Sequence, residues 1–198
     1  MVYIMISSYR LGDLVILNNL SKYEMNELII EHPNSLGKKY IYERVRNSKN
    51  TNIEIITKIV LDEIRNNMEK LPKDIRESTV IHLRLGDVIS GTKWHEKEKR
   101  PLEVEYLKGL NMDKKKYIIG KCFFARASSR NYEECIESSK EYLERVLKEI
   151  DGEHYDSGNA DIDLCCAVMS KTFVQGKGYY SKLIVEIRKQ LGLPSITL

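Results

Sequence analysis

The amino-acid sequence predicts an α/β protein with a Rossmann-like, mostly parallel sheet flanked by helices. Short apolar runs alternate with helical patterns of ten residues or more, which is typical of parallel strands joined by helical crossovers. One apolar run ends in the pattern His-x-Arg-x-Gly-Asp at residues 82–87. Another enters a glycine-rich turn and then a helix at residues 176–181. Both patterns place polar groups where ligands bind such sheets, at the carboxyl ends of strands.

The first half of the chain is predicted to begin with a strand and to continue through two helices. Residues 2–7 form a short apolar run without a basic leader, so we expect a strand there rather than a signal peptide. Asp13 is the predicted N-cap of a short helix. In residues 52–70 isoleucine and valine recur at helical spacing, and Pro72 ends that helix. The buried strand 79–84 follows.

The second half repeats the alternation of strand and helix. A charged loop over residues 86–100 leads to a short helix predicted from Pro101 to Leu110. Asn131 is the predicted N-cap of a long amphipathic helix. The remaining predicted strands cover residues 117–124, 153–157 and 172–175. The remaining predicted helices cover residues 131–150, 160–170 and 181–191.

Composition excludes several classes of protein. The 198 residues carry a net charge of +3 from 32 basic and 29 acidic side chains, too balanced for a typical nucleic-acid-binding domain. No apolar run approaches the ~20 residues that span a bilayer. The cysteines lack paired metal-ligand spacing, which indicates buried thiols in a reducing, cytoplasmic compartment. Frequent Lys, Ile and Asn hint at a viral or low-GC source, hence at host cytoplasm. The cysteines are Cys122, Cys135, Cys165 and Cys166.

Two features of the sequence suit an anion. Arg84, at the exit of a buried strand, offers a planar guanidinium that can donate two parallel hydrogen bonds to a phosphate. The turn from Gly176 to Gly178 precedes a helix whose first amides and dipole favour negative charge, and Ser181 can cap that helix or donate to a phosphate oxygen. The alternatives are an arginine paired with a surface carboxylate and a plain strand-to-helix turn. Together, two such devices on one sheet would suit a pyrophosphate.

Two carboxylates open the helix that precedes the glycine turn. Asp161 and Asp163 lie in its first turn, where acidic side chains usually complement the helix dipole. Alternatively, one of them accepts hydrogen bonds from a guanine base. The sequence leaves open which of the two would do so.

These residues resemble the superfamily of α1,2-, α1,6- and protein O-fucosyltransferases. Residues 82–87 match its His-x-Arg-x-Gly-Asp motif, and residues 161–181 are similar in order and approximate spacing to its carboxyl-terminal nucleotide motif. Residues 8–13 are faintly similar to its amino-terminal glycine loop. The resemblance implies a GT-B arrangement with a reduced amino-terminal, acceptor-side lobe at residues 1–75. Residues 76–198 would be the Rossmann-like nucleotide-sugar region, unless the whole chain is one compact domain.

Carried over by position, the resemblance implies a role for each matching residue. Arg84 would bind the donor pyrophosphate, His82 would contact the donor near its nucleotide, and Asp87 would brace the loop. Asp161 or Asp163 would reach the guanine. At Gly178 and Tyr179 family members often have Ser or Thr, so backbone amides would replace those side-chain donors. The phosphate and base pocket would be lined by Gly176, Gly178, Tyr179, Tyr180 and Ser181.

The implied activity is metal-independent, inverting transfer of a sugar from a GDP-sugar to a hydroxyl of a glycan or other acceptor. Arg84 and His82 are the catalytic candidates at the donor, and no cofactor is expected. Asp13, His95 and Glu96 are candidates for the general base, because they lie in predicted loops. The alternative is a non-catalytic nucleotide- or sugar-binding module of the same fold. A homo-oligomer could complete the reduced lobe.

Overall fold

The computed structural model describes residues 53–85, 89, 101–120, 132–158 and 160–198. The strand predicted at residues 2–7 and the helix predicted after Asp13 lie outside these ranges. So does most of the predicted loop 86–100.

Five parallel strands form the sheet in the described residues, which confirms the predicted α/β class. The strands are β1 (Thr79–His82), β2 (Lys116–Ile119), β3 (Glu153–His154), β4 (Thr172–Val174) and β5 (Ser195–Ile196). Their order is β3-β2-β1-β4-β5, and every neighbouring pair is parallel. This arrangement matches the first five strands of the Rossmann order, 3-2-1-4-5.

Helices cover both faces of the sheet, giving three layers. The helices are α1 (Ile53–Asn66), α2 (Val104–Lys108), α3 (Tyr132–Ile150), α4 (Ala160–Met169) and α5 (Tyr179–Gln190). One buried cluster joins one face of the sheet to α1, α4 and α5, and a second joins the opposite face to α2 and α3. Burying each face of a sheet against amphipathic helices is the usual stable solution for a parallel sheet.

Helix α4 lies in the middle of the first cluster and is apolar on nearly all sides. Ile162 to Val168 are all buried, which explains why this segment has no strong amphipathic stripe. Cys165 and Cys166 are buried free thiols, as predicted, and burial raises the pKa of Cys166. Neither thiol has the exposure that reactivity requires.

Several elements are shorter than the sequence predicts. Strand β1 ends at His82, so Leu83 and Arg84 belong to the segment that leaves the sheet. Helix α1 ends at Asn66 instead of residue 70, because the side-chain amide of Asn67 donates to the backbone oxygen of Glu63 (3.0 Å) and a 3₁₀ turn follows. Strand β5 was not predicted from the sequence, since two residues are too few to give a period-two pattern.

Helix α1 packs into the same core as α4 and α5. Ile56, Val60 and Ile64 are buried against α4 and α5. The predicted division at residues 75 and 76 stays a prediction, because residues 1–52 lie outside the described part. No helix in the described ranges is both long enough and apolar enough to cross a membrane.

Candidate anion site at the switch point of the sheet

The order of the strands reverses between β1 and β4, the two central neighbours of the sheet. From β1 the chain proceeds outward through β2 to β3, then returns to the other side of β1 to form β4 and β5. Open α/β sheets bind ligands in the crevice outside the carboxyl ends of the strands at such a switch point. Residues 82–84 and 175–178 are the two segments that leave the sheet there.

Side chains continue to alternate beyond the end of β1. Ile81, Leu83 and Leu85 all belong to the cluster under α2 and α3. His82 and Arg84 therefore face the opposite layer, in which α5 lies. This places both polar side chains of the His-x-Arg pattern on the side of the sheet that carries the glycine turn.

The guanidinium of Arg84 lies against the glycine turn, as the sequence predicts. A Cβ atom placed on Gly178 would be 3.2 Å from Arg84 Nη1 and 3.6 Å from Arg84 Cδ. Gly178 is the N-cap of α5 and has a φ of 101°, in the left-handed region. The cation is thus next to the positive end of a 12-residue helix. Two sources of positive potential meet at one place, and an anion there would interact favourably with both.

His82 is buried beneath the turn and does not face open solvent. The residue is 5% exposed, and its Nδ1 has no hydrogen-bond partner among the described residues. A Cβ placed on Gly176 would be 2.7 Å from this nitrogen. Tyr180, predicted to line the base pocket, is itself buried, with its ring centroid 5.2 Å from that of His82. His82 follows Val80 by two positions in an apolar strand, so the two side chains lie on the same face of the sheet. This spacing is the signal in the sequence that His82 is buried.

Burial holds His82 in its neutral form. Desolvation, with a smaller contribution from the charge of Arg84, lowers its pKa from 6.5 to about 3. The unfolded chain therefore binds more protons than the folded protein between these values, so stability is fully present above pH 6.5 and falls as the pH decreases toward 3.

We expect the acid sensitivity of folding to depend on His82. Its free-energy contribution falls by about 2 kcal/mol between pH 7 and pH 5. Urea titrations at the two pH values measure this change, and His82→Phe, which keeps a ring but cannot titrate, should lose correspondingly less stability. An identical pH dependence in the two proteins would contradict a buried neutral imidazole.

Ser181 stabilises the glycine turn from within. The amide of Gly176 donates to Ser181 Oγ over 2.9 Å, and Ser181 is fully buried. The prediction that this hydroxyl donates to a phosphate stays a prediction. In the structure this hydrogen bond connects the end of β4 to the first turn of α5. The N-cap of α5, Gly178, has no side chain that could cap the helix.

The side chain of Asp163 is hydrogen-bonded within the fold. Asp163 is 1% exposed, and its Oδ1 accepts hydrogen bonds from the amide (3.1 Å) and the hydroxyl (2.7 Å) of Ser157. The carboxylate thereby closes the loop between β3 and α4. Of the two guanine candidates, Asp161 lies in the first turn of α4, but its side chain is outside the described part of the structure.

Other predicted site residues also lie outside the described part. The residues wholly outside are Asp13, Asp87, His95 and Glu96. Tyr179 is the first residue of α5, but its side chain also lies outside the described part. The roles predicted for these five residues stay predictions.

Two of the cavities between described residues lie elsewhere in the fold. One, of about 430 Å³, lies at the amino ends of the strands and is lined by acidic residues and by lysines 114–116. Lys115 forms an ion pair with Glu153 there. The other, of about 840 Å³, lies between α2 and α3. Neither is at the carboxyl edge where Arg84 and the glycine turn meet.

No protein-family model matches the chain, and a search of curated proteins gives no match. In the described ranges, no group of three or more His, Cys, Asp or Glu side chains has the arrangement of a metal site.

Proposed function

We propose that the protein is a glycosyltransferase that uses a GDP-sugar, with fucosyltransferase-like chemistry and a GT-B-like organisation. The observation that carries the proposal is the contact between Arg84 and Gly178 at the amino end of α5, at the switch point of the sheet. A diphosphate has the charge and the size to contact a guanidinium and a helix N-terminus together.

The resemblance to the fucosyltransferase superfamily supports the nature of the ligand. His-x-Arg-x-Gly-Asp at residues 82–87 precedes the glycine turn in the order that this superfamily has. Both segments leave neighbouring strands of one parallel sheet. The guanine preference and the donor sugar follow from the resemblance alone and belong to the proposal.

The reaction would be displacement at the anomeric carbon of the donor sugar. A hydroxyl of the acceptor forms the new bond to that carbon, the bond to the diphosphate oxygen breaks, and a general base takes the hydroxyl proton. Negative charge grows on the leaving diphosphate, and Arg84 with the amides that begin α5 would stabilise it. His82 would remain a neutral, buried support beneath these groups.

A ligand screen by thermal shift tests the nucleotide. GDP at 100 times its dissociation constant should stabilise the protein by about 2.7 kcal/mol, while UDP and ADP at equal concentration should have a smaller effect. Equal shifts with all three would contradict the guanine preference, and no shift with any of them would contradict the nucleotide site.

A hydrolysis and transfer assay with GDP-sugars then separates catalysis from binding. Turnover that depends on the donor supports the transferase. GDP binding without turnover identifies instead a nucleotide-binding module. The buried environment of Ser181 favours this second outcome, because a hydroxyl that is held within the fold would not stabilise the leaving diphosphate.

A further inference from the structure

The two segments that leave the sheet at the switch point match each other residue by residue. His82 and Arg84 are two positions apart on one segment, and Gly176 and Gly178 are two positions apart on the other. Each glycine faces one of the two side chains: Gly176 lies against His82, and Gly178 lies against Arg84. The spacing of the glycines thus equals the spacing of the side chains that lie on them.

The first pair fixes the two segments relative to each other. A Cβ on Gly176 would come within 2.1 Å of the backbone oxygen of His82, a distance that no side chain tolerates. The amide of Gly176 is held by Ser181, and the ring of His82 packs on Tyr180. Backbone, imidazole and helix are therefore packed together at this point, and little freedom is left to the residues that follow.

The second pair determines where the guanidinium lies. At Gly178 the space that a side chain would need is occupied by the Nη1 and Cδ atoms of Arg84, at 3.2 and 3.6 Å from the Cβ position. A methyl group there would not disturb the buried core, because its nearest neighbour is the end of a flexible side chain. It would displace that end by a few tenths of an ångström.

We propose that Gly178 is a positioning residue: it holds the Arg84 guanidinium at the amino end of α5, and its effect on the ligand passes through Arg84. This inference rests on the proposed diphosphate site. It differs from the role that the sequence suggested for Gly178, which was direct contact with the donor through its backbone. If Gly178 acts through Arg84, replacing Gly178 should change the affinity for the ligand only while Arg84 is present.

A double-mutant cycle distinguishes the two roles. In the wild-type background, Gly178→Ala should weaken GDP binding by about tenfold, since misplacing a binding group by a fraction of an ångström is costly. In the Arg84→Ala background the same substitution should change affinity less than about twofold. Calorimetry with GDP measures all four affinities.

Gly192→Ala provides a matched control for backbone strain. Gly192 follows α5, has a positive φ of 67°, and a Cβ there would have no neighbour within 4 Å. Its replacement should lower the melting temperature without changing GDP affinity, whereas Gly178→Ala, at φ 101° and ψ 171°, where essentially only glycine is found, should lower it further. A loss of affinity that merely follows the loss of stability would appear in both variants.

The outcomes are separable from those of the proposed function. If Gly178→Ala weakens binding equally in both backgrounds, the glycine contacts the ligand itself and the positioning role is wrong. If the wild-type protein binds no GDP, the proposed function fails, and a crystal structure of Gly178→Ala still decides the positioning role. A guanidinium displaced relative to wild type and to Gly192→Ala supports it, and an unmoved guanidinium overturns it.

Discussion

Arg84→Ala is expected to lower GDP-sugar-dependent turnover about a hundredfold or more while the protein remains folded. Arg84 is half-buried at the carboxyl edge of the sheet, outside the regular strand, so its loss leaves the two hydrophobic clusters intact. What it removes is the charge beside α5 that would stabilise the leaving diphosphate of the proposed reaction. Steady-state kinetics with the donor measures the effect, and calorimetry with GDP measures its share in binding.

Arg84→Lys distinguishes charge from geometry. Lysine keeps the positive charge but has a single ammonium in place of the planar fork, so we expect an activity between those of wild type and Arg84→Ala. Arg145→Ala, on the exposed face of α3, is the control for removal of an arginine far from the switch point. Full activity of Arg84→Ala would overturn the assignment of this residue to the donor.

Arg188→Leu is expected to destabilise the fold by about 4 kcal/mol, which lowers the melting temperature by about 10 °C. Arg188 is fully buried, and desolvation lowers its pKa to about 10. Its Nη1 donates to the backbone oxygens of Ala167 (2.9 Å), Val168 (2.8 Å) and Ser170 (2.8 Å) at the end of α4. Leucine would fill the volume but leave these carbonyl groups without their donors.

The same guanidinium connects α4 to the edge of the sheet. Its Nη2 donates to the oxygen of Lys171 and its Nε to Ser195 Oγ, both over 3.1 Å. Urea denaturation measures the loss, with Lys189→Leu, the exposed neighbour on α5, as the control. Equal stability of the two variants would mean that water replaces the arginine at no cost, which contradicts a structural role for its seven donor contacts.

The parallel sheet could be predicted because helical segments separate the strands in sequence; in the described residues these helices have ten residues or more in every connection except that from β1 to β2, where α2 has five. Parallel neighbours need such crossovers, whereas antiparallel neighbours can be joined by short turns. The order of the strands could not be predicted, because the pairing of β1 with β4 depends on how the intervening helices pack. Strand β5 was missed since it gains its two-residue register only from β4.

The sequence predicted where the candidate site residues lie in the sheet more reliably than it predicted how buried their side chains are. It placed Arg84 and the glycine turn at strand exits, and the structure brings them together. It did not distinguish exposed from buried polar groups: Asp163 and Ser181 are both used inside the fold. Arg188 was unremarkable as a basic residue in the last turn of a helix, although its i+4 spacing from Ile184 was a signal of burial.

The pairing at the centre of the sheet has a consequence for how the chain acquires its site. Thr79 pairs with Thr172, roughly 90 positions further along, and contacts of such separation form slowly because a long loop must close first. During synthesis, Arg84 leaves the ribosome well before its glycine partner does. Until β4 has paired with it, β1 is an edge strand of the sheet, and such edges are where incomplete chains aggregate.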